Sequence, residues 1–417
     1  MNFAMRINRR MSVPLVGAFA TGMAPGLMAA ALPTMAASGR MDVGGKSLAV
    51  AMAMYGMVAA SLVGGVLADR FGRIRSIRFA AWCVVVSVLV IALSVAGSAC
   101  LFAGRLMQGF GLGLFMILFP LYLTESLRPE RRGGATALYQ TFNSLGGIAG
   151  AFLGFCVAIL LQLNSVAWRL DIGALLPIAL VALVGSYGLS EGDCSWRQSS
   201  VMPTGRGGRA GASLLLAVLL LSLTSAMGVG SILHYSVLML SEAGLDGSAA
   251  NAADVCLRIV GFGAAIASVS IIRQRGHRFV LAAGSAGAAV ALVGGAAVFS
   301  CLRGGLISSG VTAGVLEAVF VAAFLAAFTL GPGACVWTLA GELLPVNVRA
   351  KGMSAAMLGN QVTSSLVATA FLPVAERFGY TAVLLAFAAA ASAYFALVVF
   401  LFPPFARRDA EAFVEQV

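Results

Sequence analysis

The sequence predicts an all-α polytopic membrane protein, with twelve transmembrane helices arranged as two six-helix bundles. Three observations predict it. Hydrophobic residues make up 60% of the 417 positions and charged ones only 10%, with mean hydropathy +0.96, more apolar surface than one soluble core can bury. A bilayer core of about 30 Å takes roughly 20 helical residues, and apolar runs of that length recur from Val13 to Pro404. Lys and Arg are dense in alternate connections, and the second half of the chain echoes the first.

Taken in order, the spans fall near residues 13–37, 48–68, 78–98, 101–124, 134–161 and 168–189, then 212–240, 250–272, 279–300, 312–341, 352–374 and 380–403. Arg6, Arg9 and Arg10 precede the first run, which is too long for the apolar region of a usual signal peptide and is read as a retained helix. Arg70, Arg73, Arg75 and Arg78 follow span two, Arg128, Arg131 and Arg132 follow span four, and Arg197, Arg206 and Arg209 follow span six. Arg273, Arg275 and Arg278 follow span eight, Arg349 and Lys351 follow span ten, and Arg407 and Arg408 lie in the tail. By the positive-inside rule both termini are cytoplasmic, which requires an even number of spans. The polar stretch at 190–211 is the expected linker between an N-terminal bundle at 1–189 and a C-terminal bundle at 212–417.

The charge of +11 would suit nucleic acid only if the Arg residues clustered on one soluble face. They are dispersed between apolar segments, so no nucleic-acid partner is expected and the lipid bilayer is. Cys83, Cys100, Cys156, Cys194, Cys256, Cys301 and Cys335 are widely spaced, without CxxC or Cys/His spacing. No metal or other cofactor is expected. Lys46 and Lys351 are the only lysines in an Ala-, Gly- and Val-rich chain, a composition that suits a GC-rich bacterial genome and hence a bacterial inner (plasma) membrane. A monomer is expected.

Arg70-Phe71-Gly72-Arg73 after span two corresponds to Arg275-Gly276-His277-Arg278 after span eight, and Glu125 with Pro129 and Arg132 corresponds to Glu342 with Pro345 and Arg349. Two parallel six-helix repeats follow. Gly and Pro concentrate in spans one (Gly22, Pro25, Gly26), four (Gly109, Gly111, Gly113, Pro120), seven (Gly228, Gly230) and ten (Gly331, Pro332, Gly333). Interrupted helices in equivalent positions point to a transport cavity; close helix packing through small residues is the plainer alternative.

Span five carries Thr136, Gln140, Asn143, Ser144 and Gly147 at helical spacing, one polar stripe on an apolar helix. Span eleven carries Asn360, Thr363 and Ser364; span seven carries Thr224, Gly228, Ser231 and Tyr235. Trp337 in span ten offers a ring that can stack on an apolar face. Each residue alone is as well explained by interhelical hydrogen bonding or packing.

Gly65-Val66-Leu67-Ala68-Asp69-Arg70-Phe71-Gly72-Arg73 resembles the GxLADRxGR signature of the major facilitator superfamily. Gly104-Arg105 with Gly109, Gly111 and Gly113, then Pro120 through Glu125, Arg132-Gly133 and Gln140 are similar to the sugar porter family. So are Gly331-Pro332-Gly333-Ala334-Cys335-Val336-Trp337, which looks like GPGPIPW, with Glu342, Pro345, Arg349, Asn360 and Phe371-Leu372-Pro373. The resemblance implies the major facilitator fold, a secondary transporter rather than an enzyme, and a cavity between halves that opens alternately to each side. It implies a gating network of Asp69, Arg73, Glu125, Arg132, Glu342 and Arg349. It places Gln140 at the family's sugar-binding position, and with the polar stripes substrate contacts are expected from Gln140, Asn143, Arg105, Thr224, Ser231, Tyr235, Trp337 and Asn360. The substrate is a small polar solute, sugar-like or otherwise organic.

The departures are informative. The QQxSGxNxxxYY of span seven reads Thr224 through Tyr235 here, losing both Gln and the Asn. The span-one Asp of proton-coupled sugar porters is Ala24, which favours facilitation, a coupled proton being the other possibility. Glu317 lies ~37 Å before Glu342 at ~1.5 Å per residue, which predicts the outer interface, and His234 is either a titrating group or a packing residue. Gly146 through Gly154 in span five resembles an antiporter motif without its Pro. A proton-coupled drug or metabolite exporter is therefore the alternative. A sensor would need a long soluble tail, and an intramembrane enzyme would need a metal, Ser/His or paired-Asp arrangement at one depth.

Overall fold

The computed structural model describes residues 9–37, 41–95, 97–127, 129–161, 167–189, 210–307, 310–344 and 349–401. All regular structure among them is helical. Among the described residues, eleven segments are long and apolar enough to cross a membrane. A twelfth, α13 (Arg349–Phe378), is long enough but carries Asn360, Gln361, Thr363, Ser364 and Ser365, which lower its hydropathy. Large apolar side chains such as Leu93, Val290 and Phe400 stand exposed, as lipid-facing positions do. Chain contacts divide the molecule into two units. The first runs to Gly205 and includes Gly230–Arg258 and Ser364–Pro373; the second holds Arg206–Val229, Ile259–Thr363 and the remainder from Val374.

In the first unit, α1 (Arg9–Ala37) is the innermost helix, with 83% of its apolar window buried. It packs on α4 (Ala99–Ser126), α5 (Pro129–Leu161), α6 (Ala167–Gly173) and α7 (Leu175–Tyr187). α4 also packs on α2 (Val43–Phe71) and α3 (Arg73–Leu93). Asp42 caps α2 through Gly45 N–H at 2.7 Å, and Ser98 caps α4 through Leu101 N–H at 3.3 Å. Met23, Leu27, Val84, Val88, Leu112 and Phe115 share one apolar core, where Phe115 and Phe119 rings sit 4.8 Å apart.

Glycine sets the helix spacing. A Cβ on Gly22 would lie 1.7 Å from Asn143 O, one on Gly109 1.8 Å from Ala53 O, and one on Gly56 2.1 Å from Leu106 O. The α1–α5 and α2–α4 contacts are thus backbone on backbone. Of the four expected interruptions, spans one and four run unbroken as α1 and α4, their glycines serving close approach. Span seven does break, at Gly228 (φ +81°), between α8 (Ala210–Ala226) and α9 (Val229–Glu242). Span ten breaks too: α11 (Val311–Phe328) leads into a π-helical turn, Thr329–Gly333, and then α12 (Ala334–Leu343).

Spans eight and nine lie in α10 (Gly247–Arg303), which turns at Gly276 (φ 76°, ψ 160°). Gly72, between α2 and α3, has nearly the same backbone (φ 85°, ψ 158°). The two repeat motifs thus build the same left-handed turn, a conformation that favours glycine. Asp246 caps α10, accepting from Ala249 N–H at 2.6 Å and Ser248 Oγ at 2.9 Å, which holds its carboxyl below the usual range. In the second unit, α8 packs on α12 and on α14 (Tyr380–Leu401), and the π-turn packs on its flanking helices. Gly284 and Gly331 meet there: a Cβ on Gly284 would lie 2.6 Å from Gly331 Cα.

Candidate functional site

The charged motif at the end of α2 forms a clasp. Gly72 turns the chain so that Arg73 starts α3 beside the last turn of α2, and Ser76 Oγ donates to Leu67 O or Gly72 O, both at 2.9 Å. Arg73 then grips Glu125 at the end of α4 with both arms, Nε to Oε2 at 2.9 Å and Nη2 to Oε1 at 3.0 Å. Its Nη1 donates to Asp69 Oδ1 at 2.9 Å and Ala68 O at 2.8 Å. The forked geometry uses guanidinium planarity, which Lys could not reproduce. Asp69, Arg73 and Glu125 therefore stand together. The side chains of Arg132, Glu342 and Arg349 lie outside the described residues.

Among the substrate candidates of the first unit, Arg105 is buried to 3% exposure. Its Nε donates to Ala49 O at 2.9 Å and its Nη1 to Gln108 Oε1. Asn143 Nδ2 donates to Ala18 O at 3.2 Å, tying α5 to α1, while Gln140 is exposed on α5. Ser231 and Tyr235 are buried. The Tyr235 hydroxyl donates to Ala368 O at 3.0 Å, and its ring stacks on Phe371, centroids 4.6 Å apart. Ser47 Oγ donates to Thr369 O at 2.8 Å, and the Tyr55 hydroxyl meets Thr369 Oγ1 at 2.8 Å.

In the second unit, Thr224 is buried and donates to Leu220 O at 2.7 Å, and Asn360 Nδ2 donates to Leu221 O at 2.8 Å. Trp337 is 42% exposed on α12. Glu317 differs from the expectation of an outer-interface acid. Near the start of α11, it is 0% exposed and neither carboxylate oxygen has a partner among the described residues. Gly295, where a Cβ would lie 3.0 Å from Glu317 Oε1, admits the carboxyl to a pocket lined by Ala291, Leu292, Phe320, Val321, Phe324 and Leu384.

A buried ion pair in α10 adds to the charged groups of the first unit. Arg258 Nε meets Asp254 Oδ2 at 2.9 Å, with side chains 6% and 2% exposed. Ser236 Oγ donates to Asp254 Oδ1 at 2.6 Å, and Arg258 Nη2 donates to Leu233 O at 2.9 Å. Its signal is in the sequence: an acid four residues before an Arg inside an apolar span is a self-neutralising helical pair. Next along α9 is His234, whose Nδ1 bonds Gly230 O at 2.7 Å. His234 is thus held in place by its own helix.

Comparison with known proteins decides what kind of molecule holds these features. The sequence profile of the family "Sugar (and other) transporter" matches residues 16–193 and 195–416. The chain belongs to this family. It is therefore a multi-pass membrane carrier rather than an enzyme. It is 24% identical over 382 residues to plastidic glucose transporter 4 of Arabidopsis thaliana, across 81% of this chain and 67% of that protein. It is 26% identical over 360 residues to the facilitated trehalose transporter Tret1 of Drosophila grimshawi, across 77% of this chain but only 38% of that protein. The fold is that of a crystallised D-xylose-proton symporter, with TM-score 0.81 at 17% identity over 95% of this chain and 98% of the other. The exporter reading is not favoured. Its glycines Gly146 and Gly150 serve the contact with α1, where their Cβ atoms would lie 2.1 Å from Phe19 O and 2.3 Å from Met23 O.

Proposed function

We propose that this family member moves a small polyhydroxylated solute across a bacterial inner membrane by alternating access, both termini facing the cytoplasm. The Arg73 clasp on Asp69 and Glu125 carries the reading. It ties the ends of α2, α3 and α4 together at the Arg-rich side, where a carrier needs a latch that can be broken and remade. Arg132, Glu342 and Arg349 complete that latch in the proposal, and residues 1–189 and 212–417 act as the two moving halves around the linker at 190–211. Gln140, Asn143, Arg105, Ser231, Tyr235, Thr224, Trp337 and Asn360 supply the substrate contacts in the proposal.

Facilitated movement suits the absence of a carboxylate at Ala24. The named relatives include both a facilitated and a proton-coupled carrier, so an imposed proton gradient belongs in the test. Purified protein in liposomes is assayed for uptake of D-glucose, D-xylose and trehalose with and without that gradient. Gln140→Ala and Trp337→Ala are each expected to reduce uptake about tenfold, the weight of one good contact of about 1.4 kcal/mol, with unfolding midpoints unchanged. Unchanged uptake in both variants would overturn the proposed contacts.

A further inference from the structure

Arg105 on α4 and Arg258 on α10 are buried in the first unit with Asp254, and the other buried acid among its described residues, Asp171, lies on α6. Arg105 and Arg258 are 3% and 9% exposed. Asp254 is the single carboxylate bonded to either of them among the described residues, and it serves Arg258 alone. Arg105 donates from Nε to Ala49 O and from Nη1 to the neutral Gln108. Arg105 thus has no carboxylate bonded to it among the described residues, an arrangement that favours an incoming anion.

The geometry also offers a donor. Arg258 directs Nε at Asp254 and Nη2 at Leu233 O, while Nη1 faces α5 beside Gly147, 3.7 Å from where a Cβ there would stand. Gly147 ends the polar stripe of Gln140, Asn143 and Ser144, so Nη1 stands at the end of that stripe. His234 adds an acceptor. A carbonyl only accepts, so Nδ1 carries the proton shared with Gly230 O, and Nε2 of the neutral ring is left to receive a hydroxyl proton.

We propose that this site selects a polyhydroxylated monocarboxylate, an aldonate or uronate, over a neutral sugar. The carboxylate is bound by Arg258 Nη1 in the field of Arg105, and the hydroxyls are bound by His234 Nε2 and Gln140. The proposal rests on the carrier reading above and names its substrate class. One positive charge without a bonded carboxylate matches a carboxylate of −1; a sugar phosphate brings nearer −2.

The test is thermal unfolding of the full chain in detergent at constant ionic strength, with D-gluconate, D-glucuronate, D-glucose, D-xylose, trehalose or D-glucose 6-phosphate, followed by uptake of labelled D-gluconate in liposomes. D-Gluconate or D-glucuronate is expected to raise the midpoint, by about 3 °C at a hundredfold excess over Kd, and the neutral sugars to leave it in place. Arg258→Lys keeps the charge but loses the fork, and should weaken gluconate binding at least tenfold. The exchanged pair D254R/R258D keeps a helical ion pair but moves the cation about 6 Å along α10, and should abolish binding; a merely structural role for the pair would leave it intact. Should the exchanged variant not fold, Arg258→Lys decides. Stabilisation by neutral sugars with the acids silent overturns this proposal and leaves the carrier reading standing. A stronger response to glucose 6-phosphate, or unchanged gluconate binding in the variants, also overturns it. No response to any compound, with no uptake, overturns both.

Discussion

Replacing Asp254 by Ala isolates what the buried ion pair in α10 contributes. With Nε and Oδ2 2.9 Å apart, the mutual attraction is about 6 kcal/mol at an effective dielectric of about 20. Removing two ions from water opposes it by several kcal/mol each, so the intact pair adds little net stability. Losing only the acid is a different perturbation. Arg258, with its side chain 6% exposed, stays buried without its counter-ion, and Ser236 loses its 2.6 Å acceptor. Such half-removals destabilise by about 3–5 kcal/mol. At about 1 °C per kcal/mol for a chain of 417 residues, the unfolding midpoint of Asp254→Ala should fall by about 4 °C. The apolar double variant D254L/R258M removes both charges together and should stay within about 1 kcal/mol of the parent. The assay is a double-mutant cycle read by thermal unfolding in detergent. A midpoint within about 2 °C of the parent for Asp254→Ala, or a double variant as unstable as the single one, would refute this electrostatic reasoning.

Three further outcomes are expected. Gly22→Ala places a Cβ 1.7 Å from Asn143 O where ordinary contact begins at 3.4 Å, so α1 and α5 must part by about 1.7 Å; overpacking by about 1–3 kcal/mol should lower the midpoint, and an unchanged midpoint would show the helices are not in backbone contact. Gly72→Ala and Gly276→Ala each force an L side chain to φ near +80°, at about 1–2 kcal/mol, and should destabilise equally if the repeated turns are equivalent. Glu317→Met replaces an enclosed, unpartnered carboxyl by an apolar chain of similar size and should hold or raise the midpoint; a fall of several degrees would reveal a partner for the acid.

The architecture was legible because lipid makes severe demands. Every span must be apolar and satisfy its own backbone, so span count and the two turns could be read from hydropathy, from Arg placement and from a short repeat. The Arg73 clasp was legible for a related reason: an acid and a base a turn apart at a helix end have few uses other than pairing. The fate of the span-one and span-four glycines was not legible, since a glycine that bends a helix and one that lets a neighbour approach look alike. Gly22 and Gly109 are of the second kind, Gly228 of the first. Nor could composition show that the Tyr235 hydroxyl and the Thr224 hydroxyl would bond backbone carbonyls, because a polar side chain on a helix face carries no label for its partner. Asp254 and Arg258 are hidden from the count of charges that sets topology, because a neutral pair adds nothing to that count.

The π-helical turn at Thr329–Gly333 bears on how span ten could change over evolutionary time. Such a turn holds one residue more than the α-helix accommodates, and each residue advances the helix by about 100°. Everything beyond it, Trp337 included, is therefore rotated by about a quarter turn from where an uninterrupted α11 would have set it. Deleting a single residue within the turn would present a different face of α12 without altering any side chain on it. The face that α12 presents is thus set by the length of one helix as much as by its composition.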